Sequence, residues 1–176
     1  SYESETLLID SIVWGNTATR GKQISIGSDK EPIYLDRPAV LTVLHSDIEG
    51  GNSTEAVYVE PDRTLNWINN IDADPLFVEP FYYLSQVEAG QGFDSPCVDA
   101  GSDLAKNLGM DQYTTRLDGQ ADAGIVDMGL HYPTSLRQYE LVVNVIGDEH
   151  GRVDPNWGMY NKYTVVTLTA TVDPGY

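Results

Sequence analysis

Six aspartates in the middle of the chain are the side chains that most readily suggest chemistry. They are Asp72, Asp74, Asp99, Asp118, Asp122 and Asp127. Carboxylates on loops bind Ca²⁺, which takes oxygen ligands from flexible segments, and all but Asp99 are candidates for a structural calcium site. Neither 72–76 nor 118–122 matches a known calcium-loop spacing. We therefore favour the alternative that each aspartate accepts a backbone N–H in an Asx-turn.

Aromatic side chains offer a second kind of chemistry, because exposed rings stack on sugar rings. The sugar-stacking candidates, on or near predicted strands, are Trp14, Tyr34, Tyr58 and Trp67. Trp14 lies between Val13 and Gly15, so it is predicted to point away from the apolar face of its strand. The alternative is that it packs beneath a neighbouring loop.

Charge and composition restrict the classes of partner. The 176 residues include 27 acidic and 10 basic side chains, a formal net charge of -17. Such a surface repels phosphate backbones and anionic lipids, so we expect no nucleic-acid partner. No apolar run approaches the roughly 20 residues of a membrane-spanning helix, so no membrane insertion is expected. The single cysteine, Cys97, excludes an intrachain disulfide and is expected to be buried.

The elements that must position these residues are short strands, which repeat. Ile9 aligns with Leu44, Ser11 with Ser46 and Val13 with Ile48, all at one offset of 35 residues. Because these positions lie two apart, they are predicted to share one inward strand face that is apolar except for the serine.

A second strand is predicted in each copy, at 23–27 and 56–60, with an offset of 33 between Ile24 and Val57. Two strands per repeat and a nearly constant offset favour a β-solenoid, whose coils bury their inner faces on one another. A β-sandwich is the alternative, although it does not require the same pattern to return at a fixed offset.

Five segments resemble, in the same order, the last coils and closing segments of bacterial right-handed parallel β-helix proteins of the pectate-lyase-like superfamily. They are residues 11–16 (SIVWGN), 46–51 (SDIEGG), 70–77 (NIDADPLF), 95–101 (SPCVDAG) and 125–132 (IVDMGLHY). The resemblance implies an all-β fold, with terminal coils and a cap over residues 1–132, and a secreted or cell-surface location. Since the chain begins at Ser1 without methionine, we expect further coils upstream.

The cap is predicted over 78–132. A short helix is expected from Asp103 to Leu108, with Ser102 or Asp103 as N-cap and Gly109 as a left-handed stop. Tyr82, Tyr83, Leu84 and Phe93 are expected to dock this region on the last coil.

Enzymatic motifs are scarce. Many parallel β-helices cleave acidic polysaccharides, and a lyase of that class needs a base together with calcium or a basic residue. The basic residues of the coils are scattered through predicted loops, and we interpret them as surface charges: Arg20, Lys22, Lys30, Arg37 and Arg63. The Asp-Asp pair and Arg-Ile-Lys segment expected of polygalacturonases are absent, and His150-Gly151 is interpreted as a hairpin turn.

From Tyr139 the alternation becomes longer, with Leu141, Val143 and Val145 on one face and a half-buried strand predicted over 164–172. Residues 151–155 (GRVDP) and 165–176 (VVTLTATVDPGY) resemble the internalin-type B-repeat modules of bacterial surface proteins. The resemblance implies an incomplete module over 139–176, joined by a linker at 133–138, with the rest of the module following in the parent chain.

These observations predict a non-catalytic terminal portion of a surface β-helix protein that functions in adhesion or in contact with a polysaccharide or cell-surface glycan. The alternative is part of a polysaccharide lyase or glycoside hydrolase whose catalytic coils lie upstream.

Overall fold

The computed structural model describes residues 4–27, 39–79, 81–134, 138–146, 150–161 and 164–174. Its secondary structure is mostly β, which confirms the all-β prediction. The chain forms two compact units, Ser1–Thr134 and Ser135–Tyr176, whose boundary lies within the predicted linker. Both ends of that linker belong to strands, since Pro133 and Gln138 are paired. No helix in these ranges is long and apolar enough to cross a membrane.

Three parallel pairings organise the first unit. Strand β1 (Ser4–Ile9) pairs with β4 (Ala39–Leu44), β2 (Ile12–Val13) with β5 (Asp47–Ile48), and β3 (Ile24–Ile26) with β6 (Val57–Val59). In register, Ile9 lies opposite Leu44, Val13 opposite Ile48, and Ile24 opposite Val57. The offsets of 35 and 33 residues inferred from the sequence are therefore confirmed.

A third copy follows at a different spacing. Strand β7 (Thr64–Ile68) pairs in parallel with β4, with Leu44 opposite Ile68, and Asp47 forms a parallel bridge with Ile71. This offset is 24 residues instead of 35. A search for a constant offset misses it because the connection after β3 is longer than the connection after β6.

Each of the three repeat copies contains one residue in the left-handed backbone conformation. These three residues occupy equivalent positions in the parallel pairing. Asp10, His45 and Asn69 have φ values of 49°, 45° and 50° and lie at the ends of β1, β4 and β7. Asp and Asn tolerate this conformation better than most residues, and His is also enriched there. The shared face predicted for Ile9, Ser11 and Val13 requires one continuous strand, but the segment forms two strands joined at a corner.

The residues that follow the three corners, Ser11, Ser46 and Asn70, are joined from copy to copy by a ladder of hydrogen bonds. The backbone N–H of Ser11 donates to Ser46 Oγ at 3.2 Å, and the backbone N–H of Ser46 donates to Asn70 Oδ1 at 2.9 Å. The Asn70 side-chain amide in turn donates to the Val43 carbonyl at 2.9 Å. The ladder supplies partners to backbone groups that the corner removes from the strand pairing.

The corner also changes which residues face inward. Val43 is 0% exposed, whereas Leu44 is half-buried, so the predicted face is wrong before the corner. After the corner the prediction holds, because Ser46 and Ile48 are fully buried. The left-handed residue interrupts the period-two alternation of side chains, and a single face cannot continue through it.

The closing region consists of short elements. Strand β8 (Phe77–Val78) pairs antiparallel with β9 (Tyr83–Leu84), and β10 (Tyr113–Thr114) pairs antiparallel with β11 (Tyr132–Pro133). A 3-10 turn occupies Val87–Ala89.

Helix α1 (Ala105–Leu108) is shorter than predicted. Its N-cap is Leu104 rather than Ser102 or Asp103, although Asp103 accepts the backbone N–H of Leu104. Gly109, with φ 71°, ends the helix as predicted.

Docking of this region uses fewer aromatic residues than expected. Leu84, Cys97 and Met128 form a buried cluster against Ile12 and Ile71, which confirms that Cys97 is buried. Tyr83 is also buried, but Tyr82 and Phe93 are 63% and 77% exposed. The prediction was wrong for these two side chains because strand β9 buries only one short segment.

The second unit contains two antiparallel pairs. Strand β12 (Gln138–Val142) pairs with β14 (Trp157–Asn161), and β13 (Gly151–Asp154) pairs with β15 (Thr169–Val172). The strand predicted over 164–172 begins only at Thr169, and it is exposed instead of half-buried. Gly151 begins β13 and does not occupy a hairpin turn. None of the described side chains of this unit is buried.

The ladder predicts a sharp difference between two asparagines. Asn70→Asp places a carboxylate oxygen against the Val43 carbonyl and should lower the free energy of unfolding by about 2 kcal/mol. Asn66→Asp, at an exposed position on β7, is the matched control. It should cost about 0.5 kcal/mol, because the Thr42 hydroxyl that accepts from the Asn66 amide can donate to a carboxylate instead. Urea unfolding of both variants measures the difference, and equal losses would contradict the role of the ladder.

Candidate functional site

A polar cleft of about 390 Å³ opens on the first unit, beside the ends of β2 and β5. Its lining side chains are mostly polar: Asn16, Thr17, Lys22, Gln23, Glu49, Ser53 and Glu55. Gly15, Gly50 and Ala56 complete the wall. The volume falls within the range of sites that hold small molecules.

A row of planar polar groups is held in place along this cleft. The Asn16 amide donates to Gln23 Oε1 at 2.8 Å, and the Gln23 amide donates to Glu49 Oε2 at 2.6 Å. The same Glu49 oxygen accepts the backbone N–H of Gly15 at 2.9 Å. Because each group is bonded to the next, the row presents its donors and acceptors in a fixed arrangement.

An ion pair lies in the same cleft. Lys22 donates to Glu55, and both side chains are largely exposed. The hydrogen bond and the charge of Glu55 raise the pKa of Lys22, and the same contacts lower the pKa of Glu55. With Glu49 included, two carboxylates face one ammonium, so the cleft carries a net negative charge.

An aromatic cleft of about 180 Å³ is lined by Ile12, Trp14, Phe77, Tyr82, Gly129 and Leu130. The rings of Phe77 and Tyr82 meet edge to face, with centroids 5.3 Å apart and planes at 84°. Trp14 is half-buried and precedes Gly15 of the polar cleft, so consecutive residues line the two clefts.

Of the three aromatic candidates that the structure describes, Trp14 lines a cleft with other aromatic residues. The ring of Tyr58 is covered by the guanidinium of Arg20, whose Cζ lies 4.4 Å from the centroid. Trp67 is half-buried opposite Val43 on the inward face of β7, and Tyr34 lies outside the described residues. Sequence reasoning missed Phe77 and Tyr82 as partners of Trp14, because they join it only through tertiary contact.

A buried polar cluster lies in the closing region. Asp122 Oδ2 accepts the backbone N–H of Asp127 at 3.0 Å and lies 2.8 Å from His131 Nε2. Asp127 accepts from the backbone N–H of Asp99, from the Gln86 amide and from the Thr115 hydroxyl. No sequence motif links His131 to a partner. Only the fold brings His131 and Asp122 together.

Burial and charge act in opposite directions on these groups. Burial raises the pKa of Asp127, although the Thr115 hydroxyl and the Asp99 N–H oppose this effect. Burial is the largest single effect on His131 and disfavours its charged form. The hydrogen bonds to Asp122 and to the Gly129 carbonyl, together with the charges of Asp122 and Asp127, outweigh burial and raise the pKa of His131 above its ordinary value. The Asp122–His131 pair therefore connects two parts of the closing region in a charge-dependent way.

Two of the five calcium candidates, Asp74 and Asp118, accept the N–H two residues further on, as an Asx-turn requires, and the other three accept N–H groups more distant in sequence. Asp74 accepts the N–H of Leu76 at 2.9 Å, and Asp118 accepts that of Gln120 at 3.1 Å. Asp72 accepts the N–H of Gly50 at 2.9 Å, while Asp122 and Asp127 bond as described above. Among the described residues, no three His, Cys, Asp or Glu side chains are grouped so that they could hold a metal ion.

No protein-family model, curated protein or solved structure matches this chain.

Calcium should leave the stability of the chain unchanged. Since the candidate carboxylates bond backbone N–H groups, we expect no shift in melting temperature at about 5 mM CaCl₂ relative to an equal concentration of EDTA. A calcium-dependent rise that Asp72→Asn or Asp122→Asn abolishes would identify a metal site at the substituted residue.

Stability should fall as pH rises through the titration of His131. Its folded-state pKa is raised above 6.5, so the Asp122 pair contributes fully below that pH and is lost as pH rises through the folded-state value. We expect the free energy of unfolding to fall as pH rises above 6.5.

In the His131→Gln variant, this pH-dependent fall in the free energy of unfolding should disappear. His45→Asn is the control, because asparagine tolerates the left-handed conformation at that corner. Chemical unfolding at each pH measures the slope, and an unchanged slope in His131→Gln would disprove the assignment to this pair.

Proposed function

We propose that this chain is the non-catalytic terminal portion of a secreted or cell-surface β-helix protein, and that its first unit contacts carbohydrate. The observation that carries the carbohydrate proposal is the pair of clefts lined from the consecutive residues Trp14 and Gly15. One offers planar hydrogen-bonding groups and the other offers aromatic rings.

The right-handed parallel β-helix is part of this proposal. It is supported by four parallel pairings, with offsets of 35, 35, 33 and 24 residues, and by left-handed corners at Asp10, His45 and Asn69. For the second unit we propose an internalin-type B-repeat that acts as a spacer, on the resemblance of residues 151–155 and 165–176. A surface location and an adhesive function follow from the same two resemblances.

Carbohydrate recognition combines two demands that the clefts meet. The ring faces of a sugar carry C–H groups that stack on aromatic side chains, and Tyr82 is exposed enough to offer such a surface. The hydroxyl groups need donors and acceptors in fixed positions, which the Asn16, Gln23 and Glu49 row provides. A few placed polar groups beside apolar surface are typical of small-molecule sites.

The acidic groups of the first unit support contact without cleavage. Glycoside hydrolysis uses two carboxylates that flank the scissile bond, one of them as an acid. Glu55 is held by Lys22, and its lowered pKa keeps it ionised, which does not suit a general acid. Asp122 and His131 are hydrogen-bonded to each other, and their side chains are only 2% and 8% exposed. The alternative remains a lyase or hydrolase with catalytic coils upstream.

Binding to immobilised neutral hexasaccharides of glucose, mannose and galactose tests the proposal. Tyr82→Ala should weaken binding to the recognised glycan by about 1 kcal/mol, because it removes the exposed ring of the aromatic cleft. Glu49→Gln removes a charged acceptor from the row and should weaken binding about tenfold.

Two matched controls lie outside the clefts. Phe93→Ala removes another exposed ring, and Glu5→Gln neutralises an exposed carboxylate on β1. Both should bind like the unmodified chain. No binding to any hexasaccharide would refute the carbohydrate proposal, and release of reducing ends or unsaturated products would replace it with the enzymatic alternative.

A further inference from the structure

We infer that the polar cleft selects uncharged saccharides and excludes uronate-containing glycans. The inference rests on the proposed function and gives its ligand class. Many parallel β-helices act on acidic polysaccharides, so a preference for neutral glycans differs from what the resemblance suggests. The inference depends on the charges that the fold brings together in the cleft.

The charge of the cleft is the first argument. Glu49 and Glu55 lie in the cleft with Lys22 as the ammonium, and Lys22 is already hydrogen-bonded to Glu55. Among the described residues that line the cleft, no cation is left unpaired to offset Glu49 when a ligand carboxylate enters. The chain as a whole adds to this repulsion with its formal net charge of -17.

The hydrogen-bonding capacity of the row is the second argument. The Glu49 carboxylate is an acceptor only, and its Oε2 atom is already fixed by the Gly15 N–H and the Gln23 amide. A group that binds to this carboxylate has to donate a hydrogen. A hydroxyl at C6 donates and an ionised carboxylate at C6 does not, so the row matches the C6 edge of a neutral ring better than that of a uronate.

Binding constants for matched pairs of ligands test the inference. Each neutral hexasaccharide of glucose, mannose and galactose is compared with its counterpart oxidised to the carboxylate at C6, so that only the charged group differs. For the glycan that binds, the oxidised form should bind at least about tenfold more weakly at about 20 mM salt. Raising the salt to about 300 mM should reduce this ratio.

Opposite substitutions at the ion pair provide the internal control. Glu55→Gln removes a negative charge from the cleft and should lower the ratio of the dissociation constant of the oxidised form to that of the neutral form. Lys22→Gln removes the positive charge and should raise this ratio. The ratio is informative even where a variant weakens binding of both forms, because a loss common to the two ligands cancels.

Three outcomes separate the inference from the proposed function. Tighter binding of the neutral form, with the ratio moving in opposite directions in the two variants, supports both. Equal or tighter binding of the oxidised form overturns the uncharged ligand class while the carbohydrate function stands. Failure of every neutral and oxidised hexasaccharide to bind overturns both.

Discussion

The first unit depends on the left-handed corner that recurs at Asp10, His45 and Asn69. At each copy the corner ends one parallel strand and redirects the chain into the next. It takes two backbone groups out of the strand pairing, and the ladder through Ser46 and Asn70 provides their partners. Since unpaired buried backbone groups are costly, the corner and its ladder have to occur together.

The same corners hold the closing region in place. The Asp10 carboxylate accepts both the backbone N–H and the hydroxyl of Ser102, at 2.7 and 2.8 Å. Two residues after the second corner, the buried Asp47 accepts the N–H of Ala73 at 3.1 Å and the Cys97 thiol at 3.2 Å. Burial raises the pKa of Asp47, and its hydrogen-bond donors oppose this effect. A strand arrangement and its cap are therefore joined through carboxylates, which need these donors to tolerate burial.

Both clefts follow from the element after the corner. Strands β2 and β5 are only two residues long, so Trp14, Gly15 and Glu49 leave the pairing quickly and form cleft walls. The inward residue Ile12 packs against the buried cluster and also lines the aromatic cleft. The parallel layer thus places polar and aromatic side chains together at its edge.

Sequence alone determined the pairing of the first two copies, because period-two alternation and a shared offset report directly on which strands align, as Ile9 with Leu44 and Ile24 with Val57 show. It also predicted the Gly109 stop, since glycine adopts the left-handed conformation at low cost. Only the tertiary structure decided the inward position of Val43, because Asp, His and Asn adopt left-handed conformations only in some contexts and the alternation does not reveal where they do. It likewise decided the meeting of Trp14 with Tyr82, of Gln23 with Glu49, and of Asp122 with His131. These contacts join segments that are not related by any repeating sequence offset. They form only because the corners fix the point at which each segment leaves the parallel strands.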